Sequence, residues 1–442
     1  MRTNRRKFLQ WSAAVAAPLV VAGRALGLEG GVNAASERIT VGCIGIGCMG
    51  RGHLGLILER PDAQVLAVSD VDDWRLDYGK TRVDTKYGNT DCMATIEFRD
   101  VLDRRDIDAV TVILGERWHP FAVSMAAHAG KDIYVEKPVA LTIEQATRMT
   151  EAVRRAGVIC QVGLQQRSDL EFINAVKIIH SGVLGKIRRI YVIHNDASQD
   201  VDLPAEPTPP TIHWDRWVGP SPWHPWNSRF HYLGEPKNVV PWSFHKDFGN
   251  GGLGSGCVHA FDIVQWALGM DHTGPVYIAA PESGKVPFVT YRYDNYPGET
   301  GTIVQVTNGT IDPNVCDVPK GWNPATPIEP FGGVYVGDHG WLHVGRQGVL
   351  TSFPEEITRD FQVGPGQGVK EHHDDWFDAM RSRRRPHADI AIGAHSTHLS
   401  NLGCIARWTG RELFWDPTKE EFKNDENANR MRRRAWRNEW YI

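Results

Sequence analysis

Three observations predict an α/β fold in two parts. A glycine-rich turn joins a β-branched run to a helix-like segment, strand and helix patterns then alternate strictly, and the second half holds alternating runs flanked by helices. The chain has 442 residues, enough for two domains of roughly 100–200 residues each. Lys and Arg number 49 against 53 Asp and Glu, a formal net charge of -4. That balance offers no general field for nucleic acid or an anionic membrane.

Residues 1–34 are expected to stand outside the fold. Asn4-Arg5-Arg6-Lys7-Phe8-Leu9 pairs two arginines with a hydrophobic doublet, and the apolar run Trp11–Val21 is too short for a stable membrane anchor. This pattern reads as a twin-arginine (Tat) export signal, with Val32-Asn33-Ala34 as a small-residue cleavage region. The expected location is periplasmic or secreted. The seven cysteines are scattered without a C-x-x-C pair, so neither a disulfide framework nor a zinc site is expected. Cys43 and Cys48 read as small buried fillers.

The first domain is expected over residues 35–165. Residues 39–44 (ITVGCI) form a strand, and Gly45-Ile46-Gly47-Cys48-Met49-Gly50 follows at once, opening a helix. The first glycine of such a loop makes the turn, the second admits a pyrophosphate, and the third lets helix pack on strand. A second strand, residues 64–69, ends in Asp70, which is 20 residues past Gly50. A carboxylate there holds ribose hydroxyls and repels a 2′-phosphate, so the expected cofactor is NAD rather than NADP. Strands over 108–114, 131–138 and 158–162, and helices over 121–129 and 142–156, continue the alternation. A doubly wound parallel sheet follows, with its ligand at the C-terminal strand edge.

Residues 166–400 are expected to form the second domain. Helix 170–180 precedes strand 187–193; further strands fall at 301–307 and 333–336. Helices 258–268, 372–381 and 392–409 are expected to cover one face, and residues 401–442 to pack back on the first domain.

The strand-end Glu136-Lys137-Pro138, QVGLQQRS (161–168), GCVHAFDIVQWALG (256–269), WDRWVGPSP (214–222) and GGVYVGDHGWLHVGR (332–346) occur in one order. Together they resemble the glucose–fructose oxidoreductase / inositol dehydrogenase / MocA (Gfo/Idh/MocA) family, in a secreted branch. The resemblance implies a Rossmann domain, then an α/β domain with a large open, mostly antiparallel sheet whose outer face makes a homo-oligomer contact. It implies that Lys137 points at the substrate beside the nicotinamide, and that His259 takes the hydroxyl proton. Asp262 lies at i, i+3 from His259 on one helix face and joins it as a catalytic candidate. Trp118, His119 and Glu136 are expected on the nicotinamide side of the cleft. Two positions depart from the family pattern: Ser255 stands where many dehydrogenases have an aspartate, and LGERWHP (114–120) replaces the usual Thr-Pro.

Five tryptophans fall between 214 and 242. Trp214 and Trp217 read as core, whereas Trp223, Trp226, Arg229 and His231 lie in a Pro-rich loop suited to stacking on sugar rings. Gln165 and Arg167, at the domain junction, are expected to add hydroxyl contacts. His372-His373-Asp374-Asp375 and His395–His398 invite a metal reading, but neighbours on a helix point in different directions, and no metal is expected. The basic runs 381–385 and 430–437 read as solvated or as an oligomer contact.

The expected function is NAD-dependent oxidation of a sugar, polyol or glycoside hydroxyl with tightly bound cofactor. Tat export carries a folded protein, so NAD can be loaded before secretion and must be restored in each cycle. The alternative is a redox-neutral glycosidase that oxidises, eliminates, adds water and re-reduces.

Overall fold

The computed structural model describes residues 33–194, 196–235, 241–280, 288–364 and 368–437. The twin-arginine segment lies outside them, apart from its last residues. No helix among the described residues is long and apolar enough to cross a membrane.

In the first domain, strand β1 (Ile39–Ile44) leads through the glycine turn into helix α1 (Cys48–Leu58). Then come β2 (Ala63–Ser69), α2 (Asp73–Tyr87), β3 (Met93–Thr95), α3 (Phe98–Leu102), β4 (Ala109–Val112), α4 (His119–His128), β5 (Asp132–Val135), α5 (Ile143–Ala156) and β6 (Cys160–Val162). The six strands pair in parallel in the order β3-β2-β1-β4-β5-β6. Every residue of β4 is buried, as expected for a strand covered on both faces. Caps fix the helix ends. The Asp72 carboxylate accepts from the N–H groups of Trp74 and Arg75 at the start of α2, Thr142 caps α5, and Gly88 and Gly157 end these helices in the left-handed region.

The second domain carries α6 (Leu170–His180), β7 (Ile187–Ile193), α7 (Trp214–Val218), α8 (Gly251–Ser255) and α9 (Cys257–Ala267). Strands β8 (Tyr277–Ala279), β9 (Val289–Arg292), β10 (Ile303–Thr307), β11 (Gly333–Gly337), β12 (Gly340–Gly345) and β13 (Val349–Phe353) follow. Helices α10 (Val369–Ser382) and α11 (Ile390–Thr409), strands β14 (Leu413–Asp416) and β15 (Glu421–Phe422), and α12 (Glu426–Arg430) complete it. The nine-stranded sheet runs β13-β12-β11-β7-β10-β9-β8-β14-β15. Only the β7–β10 pair is parallel. Helices α6, α9 and α11 bury one face of it in a shared apolar core. On the other face Ile311, Trp322 and Ile328 pack over Tyr191, Val334 and Trp341.

One expectation needs correction. Helix α10 does not cover the second sheet: Trp376, Phe377, Ala379 and Met380 join the first domain's core with Val41, Val65 and Tyr134. Ion pairs Arg381–Asp62 and Arg383–Asp132, both 2.6 Å, fasten its end there. Residues 401–437 serve both domains. β14 and β15 extend the edge of the second sheet, with Trp415 and Phe422 in its core. The Arg432 carbonyl accepts from the Glu144 N–H at 3.0 Å and Thr147 donates to Glu420, so the tail does pack back on α5 as expected. Trp436 adds an edge-on ring contact with Phe121 of the first domain. Arg434 is not solvated; its guanidinium donates to the carbonyl of Lys246.

Candidate active site

A cleft opens at the C-terminal edge of the first sheet, where the ends of β1, β2, β4 and β5 meet Trp217, Phe230, His231, Trp242 and Ser255 of the second domain. The glycine turn shapes its floor. Gly45 has φ +90°, and a Cβ there would lie 2.1 Å from the Ile113 carbonyl oxygen. A Cβ on Gly50 would lie 2.0 Å from the Gly45 carbonyl oxygen. At Gly47 the nearest atom would be the Arg75 guanidinium at 3.7 Å, so the backbone faces open cleft. No side-chain hydrogen bond caps α1 at Gly47, and the first residues of α1 line the same cleft. This cradle fits a dinucleotide pyrophosphate, which needs close backbone approach and a helix N-terminus.

Asp70 stands at the end of β2, its Oδ2 accepting from the Ile46 N–H at 2.6 Å and its Oδ1 from the Asp72 N–H at 3.0 Å. Burial raises its pKa, against the opposing pull of Arg75 and these two N–H groups. His231 lines the same end of the cleft, its Nε2 3.1 Å from Asp72. Asp70→Asn is expected to lower NAD affinity by roughly tenfold or more, the value of one hydrogen bond to a charged group, and to narrow the preference over NADP. Fluorescence titration with both reduced cofactors reads this; an unchanged ratio would remove Asp70 from cofactor choice.

The end of β5 builds the chemical corner. Glu136 is buried and tied on all sides: His53 Nε2 at 3.1 Å, Gln165 Nε2 at 2.9 Å and the Lys137 N–H at 3.1 Å. Its pKa is lowered because the His53 bond and nearby charges outweigh burial. The Lys137–Pro138 peptide is cis. Lys137 Nζ donates to the Ser255 carbonyl at 2.8 Å. Burial lowers its pKa, Arg346 lowers it further, and Glu136 and Glu116 oppose both.

His259 is 4% exposed, and its Nδ1 has no hydrogen-bond partner. Burial, and then the charges of Lys137 and Arg346, hold it well below the usual histidine range. The ring meets Phe331 edge-on at 5.4 Å, and Phe331 in turn touches His194, also at 5.4 Å. Both of these residues take the left-handed backbone region, Phe331 at φ +66° and His194 at φ +81°. Such strain in bulky residues gathers at functional sites. Glu116 lines the cleft with both carboxylate oxygens buried and no side-chain partner among the described residues, the Asn250 backbone N–H being its nearby donor. Burial pushes its pKa up to about 8, against Lys137 and Arg434.

The sequence profile of the GFO_IDH_MocA oxidoreductase family, NAD-binding Rossmann fold, matches residues 39–164. That of its C-terminal alpha/beta domain matches 173–316 and 348–442. This chain is a member of the Gfo/Idh/MocA oxidoreductase family. Among curated proteins, the scyllo-inositol 2-dehydrogenase (NAD(+)) of Bacillus subtilis is 30% identical over 151 residues, 34% of this chain and 42% of that protein. Inositol 2-dehydrogenase 2 of Saccharopolyspora erythraea is 29% identical over 168 residues, 38% of this chain and 48% of that protein. The matches span at most about half of these relatives' length. Among solved structures, the aldose-aldose oxidoreductase of Caulobacter crescentus overlays with TM-score 0.56 and 17% identity, covering 85% of this chain and 99% of that one. A levoglucosan dehydrogenase in complex with NADH and levoglucosan gives 0.55 and 18%, covering 85% and 99%.

Against this family frame the predicted residues divide. Gly45 to Gly50, Asp70, Trp118, Glu136 and Lys137 line or shape the cleft, although Cys48 is exposed rather than buried. His119 does not face it: the ring bridges the Leu114 N–H and the Pro138 carbonyl, and burial lowers its pKa to about 4. Asp262 and Arg167 are not at the chemistry either. The guanidinium donates to Asp262 at 2.9 Å and to Asp271 at 2.6 Å, so the charges satisfy one another. Gln165 is held by Tyr134 and Glu136.

The aromatic loop is corrected as well. Trp226 is core, packed edge-on against Trp214 at 4.9 Å, and Trp214 stacks on Trp217 at 4.4 Å as expected. Trp223 is exposed beneath Arg437, and Arg229 is exposed. Neither lines the cleft. His53 and His373 bond to each other at 2.8 Å. His395, His398 and Glu420 do gather, but His395 Nδ1 already donates to the Asp271 carbonyl. The residues missed were Glu116, His194, Phe331 and Arg346. The GER departure flagged the first; the Pro-Phe-Gly-Gly run before β11 was a signal for Phe331.

Proposed function

We propose that this protein is an NAD-dependent carbohydrate oxidoreductase, exported by the Tat machinery to the periplasm with its cofactor in place and working there as a homo-oligomer. The supporting observation is that Lys137 lines the dinucleotide cradle while its charge reaches buried His259, whose Nδ1 is left unpartnered among the described residues. When bound, NAD supplies the hydride acceptor. Lys137, anchored at Ser255, keeps N–H donors for the alkoxide oxygen that forms as a hydroxyl is oxidised. His259 is neutral with a free Nδ1, so it can take the hydroxyl proton. Ser255 holds no charge; its hydroxyl donates to the Gly251 carbonyl at 3.0 Å. Twin arginines near the N-terminus support export. The homo-oligomer rests on the family resemblance.

A redox-neutral glycosidase is the second reading, favoured by Glu116, because a carboxyl held protonated near neutrality suits proton delivery to a leaving aglycone. Product mass spectra after incubation with a saccharide panel in D₂O decide. A keto-sugar or lactone without carbon-bound deuterium supports the oxidoreductase. A cleaved glycoside carrying one carbon-bound deuterium replaces it with the glycosidase.

Glu116 carries its own prediction. Its folded pKa of about 8 lies above the ordinary 4.5, so the folded state binds the extra proton between those values. Stability is therefore full below about 4.5 and falls as pH rises through about 8. Glu116→Gln is expected to flatten that decline in denaturant midpoints; an undiminished slope would place the proton elsewhere.

A further inference from the structure

Near Lys137 stands a second cation that the proposed chemistry does not use. Arg346, at the end of β12, lies with its guanidinium 4.3 Å from the Phe331 ring centroid. Its polar contact is a long one, 3.4 Å from Nη2 to Gln166 Oε1. Neither Arg346 nor Lys137 makes an ion pair among the described residues. Gln166 fixes the platform from below, donating to the Phe331 carbonyl at 2.6 Å.

Glu136 acts on both cations from a distance, and Asp169 on Arg346, but among the described residues no carboxylate makes an ion pair with either. Glu136 is committed to His53, Gln165 and the Lys137 N–H. Asp169 is a buried carboxyl whose pKa is pushed up to about 8 by burial and by neighbouring Glu171. One cation, Arg346, and two imidazoles, His194 and His259, therefore surround the partly exposed Phe331 ring, with the Lys137 charge near both imidazoles. Partly buried arginine without a carboxylate is costly to keep, and its planar fork matches a carboxylate in two parallel bonds. An aromatic face beside it suits the apolar side of a pyranose.

We infer that Arg346 and Phe331 form a subsite for a saccharide carrying a carboxylate: the sugar ring lies on Phe331, the carboxylate pairs with Arg346, and the hydroxyl to be oxidised reaches Lys137 and His259. The substrate class is thus a uronic acid or a glycoside of one. This rests on the oxidoreductase reading for turnover, while binding tests it independently.

The experiment titrates the NADH-loaded protein with glucuronate and galacturonate, their neutral methyl esters, and glucose and galactose. Binding is followed by calorimetry; reduced nicotinamide formed from the NAD-loaded protein is followed in parallel. The acids are expected to bind at least about tenfold tighter than the esters, which keep the shape and lose the charge. Arg346→Gln is expected to cut that ratio by roughly tenfold to a hundredfold, the range of a charge-assisted hydrogen-bonded pair. Arg346→Lys, which keeps charge but not the fork, should fall between. Equal binding of acid and ester by the wild-type protein overturns the assignment, and needs no variant to fold. If hexoses and esters are oxidised as fast as the acids, the subsite fails and the oxidoreductase stands. If the acids bind through Arg346 and no reduced nicotinamide forms, the subsite stands and the oxidoreductase reading fails.

Discussion

Lys137→Ala is expected to slow saccharide oxidation in a single turnover by about 10²–10⁴-fold, the contribution of a positioned acid–base or charge-stabilising group, with NADH affinity nearly unchanged. The reason is geometric. Lys137 Nζ is held at 2.8 Å by the Ser255 carbonyl, a partner that orients the ammonium without neutralising it. The cofactor cradle is formed by Gly45, Gly47, Gly50 and Asp70, which do not depend on that side chain. A binding protein that merely keeps NAD would lose neither saccharide affinity nor anything else. Stopped-flow fluorescence of reduced nicotinamide separates these outcomes, and a rate within threefold of wild type would remove Lys137 from the chemistry. Lys137→Arg tests the same point: a planar fork in place of a compact ammonium should restore little of the rate.

Arg167→Met is expected to cost about 3–5 kcal/mol of stability, the penalty of breaking a buried ionic network by removing one partner. The guanidinium is 5% exposed and donates to both oxygens of Asp262 at 2.9 Å and to Asp271 at 3.0 and 2.6 Å. Without it, Asp262 remains fully enclosed with Ser396 as its remaining side-chain donor. Burial already raises the pKa of Asp262, with Arg167 holding it down. Removing the guanidinium therefore leaves this carboxyl to protonate at higher pH. The double change Arg167→Met with Asp262→Leu should recover much of the loss, because no buried charge is then stranded by that pair. Denaturant unfolding of the single and double variants checks this; a single-variant loss below 1 kcal/mol would contradict the ionic account.

The first domain was legible because its signals are local. Three glycines within six residues, an acid 20 residues on, and a Lys-Pro strand end each announce their geometry without distant partners. Asp70 follows from a strand end and its spacing from the glycine turn, whereas the role of Lys137 follows from the family resemblance of its strand-end motif. The substrate side was not legible in the same way. His194, His259, Phe331 and Arg346 lie on separate strands, helices and loops of a nine-stranded sheet, and only long-range pairing brings them to one corner. Helical spacing rightly placed Asp262 and His259 on one helix, yet it could not show that Arg167 waits across from Asp262 and takes its charge. The Trp-rich loop misled for a related reason. Its composition matched a sugar platform, but Trp226, Trp214, Trp217, Phe230 and Phe248 satisfy one another as a core. Helix α10 misled by its position in the chain, since its apolar side completes the first domain although it follows the second sheet.

The central claim is that bound nicotinamide and Lys137 together oxidise a saccharide hydroxyl. The most direct measurement mixes the NAD-loaded protein, free of added cofactor, with an equimolar saccharide panel, and follows reduced-nicotinamide fluorescence and product mass together. One reduced nicotinamide per active site and a matching product lighter by two hydrogens are expected, both lost in Lys137→Ala. Saccharide binding with no reduced nicotinamide and no change in mass, in wild type as in the variant, would contradict the claim.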